Sequence, residues 1–340
     1  MRLPRQALSR QVASVVIAFV ATLSAWALPA DAKVGGIDGQ IVFARFSPAL
    51  DGDVLYTINP DGSGLERLTP GNFGPAESPH WSPDGSSVAF FSDARQTIAA
   101  VIADVDTGTF RLLPMQQPAT LFTDCHIWSP DAARLACESF GLTDPSLNGI
   151  YSIRSSDGGD LTRITANPGG DFPCDYSPDG MNFALVSTHP DGSSELDTVN
   201  LSTGVVQELV PAGTTLSDFE CGSWSPYGDQ ILFAARPSPG HRRALYVVDS
   251  GGTGLHQIPI SPSCGGAFSD PTSRGCLEPA WSPDGTKIVF HIVAPGTKVN
   301  NPIYTANADG SGLFQVTHPG AINSMKGDEV PDWGTHAVTG

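Results

Sequence analysis

HWSPDGSSVAFFS, residues 80–92, reads as a tight turn between two short strands, and the chain repeats nearly the same phrase along its length. IWSPDAARLACES begins at Ile127, DYSPDGMNFALVS at Asp175, SWSPYGDQILFAA at Ser223 and AWSPDGTKIVFHI at Ala280; a truncated copy, PDWGTH, starts at Pro331. In Ser82-Pro83-Asp84-Gly85 the proline fixes φ for the first corner of a β-turn and aspartate favours the second. Glycine then accepts the positive φ that reverses the strand. The preceding Trp81 is large and flat, suited to the wedge between neighbouring sheets. Ala132 replaces the glycine in one copy and Tyr227 the aspartate in another, each at a small local cost to its turn.

The aromatic anchors fall at Trp81, Trp128, Tyr176, Trp224, Trp281 and Trp333, spaced 47, 48, 48, 57 and 52 residues apart. A period near fifty built of short strands belongs to propellers rather than helical solenoids. After each turn comes an apolar strand (SVAFFS, RLACES, NFALVS, QILFAA, KIVFHI), then a second such as ALYVVDS or PIYTANA, then a Gly-rich hairpin and an outer strand. The first repeat, GQIVFARFS from Gly39, lacks an anchor of its own, and EVPDWGTH at the far end supplies one. The expected fold class is therefore all-β: a six-bladed β-propeller of four-stranded blades, its ring closed by the C-terminal strand. Closure removes the open sheet edge that invites aggregation.

Residues 1–32 read as a signal peptide, with Arg2, Arg5 and Arg10 ahead of an apolar core and the small residues Ala30-Asp31-Ala32 before a cleavage point near Lys33. The domain assignment is signal peptide 1–32 and propeller 33–340, and no second apolar stretch approaches membrane length. Fifteen basic and 34 acidic residues then remain, a net charge of −19. That balance argues against nucleic acid and stable membrane insertion, and accepts a cation, a basic peptide or a neutral sugar. Six cysteines, an even number, fit a periplasmic or secreted protein. Their places in the repeat suggest the pairs Cys125–Cys137 across one turn, Cys174–Cys221 between neighbouring inner strands, and Cys264–Cys276 around the longest inter-anchor loop.

WSPDG followed by an apolar strand, an LY strand and DGSGLxxLT resembles the TolB-type, WD40-like (PD40) propeller repeat. The likeness spans roughly 300 residues, in register. It covers the propeller alone, with no counterpart of the α/β domain that precedes the propeller of TolB. The resemblance implies a channel that takes up an extended peptide from a partner, with a calcium ion able to occupy it.

An acidic residue stands ahead of every anchor: Glu77, Asp124, Asp171, Glu220, Glu278 and Glu329. Four of them lie four residues before their aromatic, Asp171 five and Glu278 three. Inner strands border a propeller's channel, so these acids should converge on one mouth of it, with Asp218 and Asp328 near enough to share the role. Carboxylates sharing a mouth repel unless a cation or basic partner sits among them. Oxygen-rich sets suit calcium, with Glu77, Asp124, Glu220 and Glu329 as its expected ligands. The plainer alternative is that each acid caps a local amide. His80 and His126 lie one residue out of step before their anchors, so strand alternation points them to different faces, and His291 stands alone in an apolar strand. The serines of the SPDG turns recur in every blade and are expected to bond their own turns rather than act as nucleophiles.

The resulting expectation is a monomeric, exported binding module that receives a protein or peptide segment at an acidic channel mouth, rather than an enzyme. The alternative is a metal-dependent propeller enzyme, lyase- or lactonase-like, acting on a small or carbohydrate substrate in the channel.

Overall fold

A computed structural model describes residues 36–71, 73–92, 99–114, 117–210, 213–261, 264–294, 301–319 and 327–339. The signal peptide expected at 1–32 lies outside the described residues. β1 (Ile41–Ser47), β2 (Gly52–Ile58) and β3 (Glu66–Arg67) belong to the first blade. The second holds β4 (Glu77–Trp81), β5 (Ser87–Ser92), β6 (Ala99–Asp104) and β7 (Thr109–Leu113). The third holds β8 (Leu121–Trp128), β9 (Arg134–Gly141), β10 (Gly149–Arg154) and β11 (Thr162–Arg163). The fourth holds β12 (Asp171–Tyr176), β13 (Asn182–Thr188), β14 (Ser194–Asn200) and β15 (Val206–Glu208). The fifth holds β16 (Ser217–Glu220), β17 (Gln230–Arg236), β18 (Ala244–Asp249) and β19 (His256–Gln257). The sixth holds β20 (Gly275–Trp281), β21 (Lys287–Val293), β22 (Ile303–Asn307) and β23 (Phe314–Gln315). β24 (Asp328–Trp333) then joins the first blade.

Each blade is a four-stranded antiparallel sheet, and the first has the order β24-β1-β2-β3. Ile41 pairs with Trp333 and Arg45 with Asp328, so the last strand closes the ring on the first. A bidentate Arg45–Asp328 ion pair reinforces this seam at 2.5 and 2.8 Å, and Asp328 is fully buried. Arg45 also lies over the Phe43 and Tyr56 rings.

The second strands carry the core between blades. Phe43, Phe90, Phe183, Phe233 and Phe290 are all fully buried, as period-two strands packed on both faces require. The repeated turn is held by its own side chains. Ser82 Oγ donates to Asp84 at 2.6 Å and accepts the Ser87 N–H at 3.0 Å. The same pattern recurs at Ser129, Ser177 and Ser282. In the copy with Tyr227, Ser225 donates instead to Asp229 at 2.6 Å, and Tyr227 Oη donates to the Asp284 carbonyl of the next blade. Ala132 stands at φ 56°, where glycine is otherwise used, a strain of roughly 1–2 kcal/mol.

The cysteines form Cys125–Cys137, Cys174–Cys221 and Cys264–Cys276 disulfides. Cys125 and Cys137 are direct cross-strand partners, and Cys174–Cys221 ties the fourth blade to the fifth.

Candidate functional site

The inner strands β4, β8, β12, β16, β20 and β24 surround a cavity of about 880 Å³. Its lining follows them from end to end, from Ser194 and Leu216 to Pro83, Pro130 and Pro178 in the SPDG turns. All six inner strands shift register against their neighbours. Such bulges re-aim side chains. Ser78, Asp218, Glu278 and Val330, in four of these strands, take positive φ between 49° and 54°.

The bulges correct the expectation for the histidines. His80 and His126 do not part to different faces: their rings stack at 5.0 Å on the cavity wall. Counting alternation fails because β4 slips between Glu77 and His80, and β8 between Cys125 and Ile127. His126 Nδ1 lies 2.8 Å from Asp124 Oδ1. Burial works to lower the His126 pKa, but the charge and hydrogen bond of Asp124, with the charge of Glu138, together outweigh it and hold the imidazole above its ordinary value. Glu138, directly across the β8–β9 ladder from Asp124, lines the cavity too. Burial, then repulsion from Asp124, pushes its carboxyl up to about 7.

The facing wall carries a second cluster. Asp218 bridges Arg236 at 2.8 Å and Arg243 at 2.9 Å, and Arg243 lies 3.5 Å from Glu220. Glu278 accepts the Val330 N–H at 2.5 Å and sits 3.0 Å from His291 Nδ1, an ion-pair contact outside hydrogen-bond alignment. Burial and then the Glu278 charge push Glu220 up to about 7. For Glu278 burial acts upward, but His291, the Val330 N–H and Arg243 together hold the carboxyl below its usual range; His291 is raised in return. His291 stands alone in its apolar strand, as the sequence suggested, but Glu278 on the adjacent β20 gives it a partner.

The six expected acids separate into different roles. Glu220 and Glu278 line the cavity and Asp124 stands behind His126. Asp171 is buried and accepts from Thr165 and Asn167, the local-capping role. Asn301 donates to Glu329 at 3.3 Å, and Glu77 is exposed at the start of β4. Asp328 belongs to the ring seam. Among the described residues no three Asp, Glu, His or Cys side chains gather at metal-holding spacing. Of the carboxylates expected to hold calcium, Glu220 already faces Arg243 and Asp124 faces His126, while Glu329 accepts from the neutral Asn301.

The sequence reading missed Glu138, Arg236 and Arg243, and a set of links between blades. Asp332 accepts the Trp81 N–H at 2.7 Å, Asp175 that of Trp224 at 3.1 Å, and Ser223 Oγ that of Trp281 at 2.9 Å. The residue just ahead of one anchor thus holds the backbone of the next anchor in the ring. A signal for Glu138 existed: pairing Cys125 with Cys137 sets Asp124 opposite Glu138.

Fold and cavity define a six-bladed propeller with a side-chain-lined central channel. The chain matches the TolB beta propeller domain family over residues 54–258, more than half its length, and belongs to that family. It is 28% identical over 222 residues to an uncharacterized protein of Agrobacterium fabrum, covering 62% of this chain and 67% of that one. Among solved structures it resembles TolB of Acinetobacter baumannii, with TM-score 0.66, 20% identity, and 88% of this chain and 67% of that chain covered. A protein of Agrobacterium tumefaciens assigned as a TolB gives TM-score 0.62 at 17% identity, over 85% of this chain and 94% of that one. At these identities the structural likeness concerns the fold.

Proposed function

We propose that the protein is an exported peptide-binding module whose ligand, an extended segment of a partner protein, enters the central channel. The observation that carries this reading is the cavity itself. It is lined by all six inner strands, with proline and aromatic surfaces between two walls that each carry acidic and basic side chains. One wall presents His80, His126 and Glu138, and the other Arg236, Arg243, Glu220 and Glu278. Pockets of roughly 300–1,000 Å³ with few convergent polar groups are the usual form of binding sites. The family resemblance implies the same use of the channel. Export agrees with three disulfides, which persist in oxidising compartments. Among the described residues no helix is long and apolar enough to cross a membrane.

The test is selection of a displayed random-peptide library on the protein, followed by calorimetry of the selected peptides against Glu220→Gln/Arg243→Met. Glu220 is neutralised together with Arg243, and Asp218 keeps Arg236 at 2.8 Å, so no charge is left unpaired. At least tenfold weaker binding by the double variant, with an unchanged melting temperature, supports the channel. Equal affinity, or no selectable peptide, refutes it. Calcium is a second arm: a rise in melting temperature with calcium that Glu77→Ala and Glu329→Ala abolish would add a cation at the mouth. Metal-dependent turnover of a carbohydrate would replace the binding reading with the lyase- or lactonase-like one.

A further inference from the structure

We infer that the ligand path branches: between the third and fourth blades a side pocket beneath Tyr176 receives an aromatic side chain of the segment held in the channel. This rests on the channel reading and adds to it a sequence preference. Three observations place the branch. The anchor is tyrosine in the fourth blade where the other five blades carry tryptophan, so this wedge is less completely filled. A second cavity, of about 460 Å³, lies there and shares Pro130, Tyr176 and Pro178 with the channel.

The third observation concerns the turns themselves. Successive SPDG turns pack side by side, and the gap between them can be gauged by the methyl group a turn glycine lacks. Such a methyl at Gly180 would come no nearer than 4.0 Å to Pro130 of the preceding blade. At Gly228 it would lie 3.5 Å from Pro178, at Gly285 2.8 Å from Tyr227, and at Gly85 2.6 Å from His336. Of these four seams, the one at Tyr176 is the most open.

The lining selects the guest. Pro130, Pro178 and the Tyr176 ring offer flat faces, with Ile164, Val199 and Leu201 behind them. Flat apolar surfaces suit another ring in offset or edge-on contact. Tyr176 already meets Phe183 edge-on at 4.6 Å, so its position is fixed rather than adaptive. Its side chain is buried as a whole, but the hydroxyl makes no hydrogen bond to any described residue and opens to the cavity, where it can take a partner. An indole N–H or a phenol on the guest ring supplies one. Arg134 does not compete for the site, since Ser152 and Asp160 take up its guanidinium.

The probe is N-acetyl-L-tryptophanamide, titrated into the protein and followed by backbone NMR shifts, with N-acetyl-L-leucinamide as control. Saturable binding of the aromatic amide, centred on Ile164, Tyr176, Val199 and Leu201 and exceeding that of the leucine amide, is expected. Tyr176→Trp fills the pocket with the residue the other blades use, and should abolish binding while the melting temperature holds or rises. Tyr176→Phe removes one hydrogen bond and should weaken binding about two- to tenfold. No saturable binding to the wild type, shifts centred elsewhere, or unchanged affinity in Tyr176→Trp overturns the inference. Should Tyr176→Trp fail to fold, Tyr176→Phe decides, and unchanged affinity there overturns it. The Glu220→Gln/Arg243→Met change leaves this measurement untouched, so the side pocket and the channel reading fail separately.

Discussion

Glu138→Gln should stabilise the protein at alkaline pH and much less at acid pH. The carboxyl keeps its proton up to about 7 in the folded chain, against an ordinary value of 4.5, because it is buried and faces Asp124. The folded state therefore binds that proton more tightly than the unfolded chain. The stability this confers is complete below 4.5 and is lost as pH rises through 7. Holding a proton over that interval corresponds to at most about 3.4 kcal/mol by pH 8. Partial water contact and the neighbouring imidazole reduce this to about 1–2 kcal/mol. Glutamine has the same shape, needs no proton and escapes the loss. Thermal melts of both proteins at pH 5 and pH 8 read it out. A gain of roughly 2–6 °C at pH 8, and about a quarter of that at pH 5, is expected. Equal melting temperatures at pH 8, or the same difference at both pH values, would refute the account of the Asp124–Glu138 pair.

Arg45→Met should cost about 3–5 kcal/mol in chemical denaturation, because it strands the fully buried Asp328 carboxylate at the ring seam. Arg45→Met/Asp328→Leu should recover most of that. Replacing Cys174 and Cys221 by alanine removes the tie between the fourth and fifth blades, which encloses 47 residues, and should cost about 2–5 kcal/mol. A melting curve matching the oxidised wild type would contradict this. Asp332→Ala leaves the Trp81 N–H without its acceptor, for a loss of about 1–3 kcal/mol, whereas Asp332→Asn keeps an acceptor oxygen and should lose less.

The sequence expressed its architecture through local chemistry repeated in register. Ser82, Ser129, Ser177 and Ser282 bond their own turns because the turn is complete within six residues, and the missing anchor of the first blade pointed directly to Trp333. The site was less legible because it depends on departures from regularity. A bulge has no strong sequence signature, yet one shifted residue in β4 and one in β8 bring His80 onto His126. Asp171 and Glu220 look alike in the repeat, but Thr165 and Asn167 reach one, while Arg243 and Glu278 surround the other. Thr165 and Asn167 come from the loop just ahead of Asp171, whereas Arg243 and Glu278 come from beyond β17, and only the assembled register brings those two to Glu220. Asp175, Ser223 and Asp332 were passed over for a related reason: each serves the next blade rather than its own.

The seam between β1 and β24 also governs the order in which the molecule can be completed. β1 emerges early in the chain, but its inner neighbour arrives some 280 residues later. Until then the first blade has an unpaired edge, open to any strand that meets it. Joining the ends is the longest-range step in the molecule, and contacts so distant in sequence form slowly. The ring therefore passes through an open form in which five blades can be whole while the first still lacks its inner strand. A factor that shields the exposed edge of β1 during that interval would raise the yield of folded protein without altering its final stability.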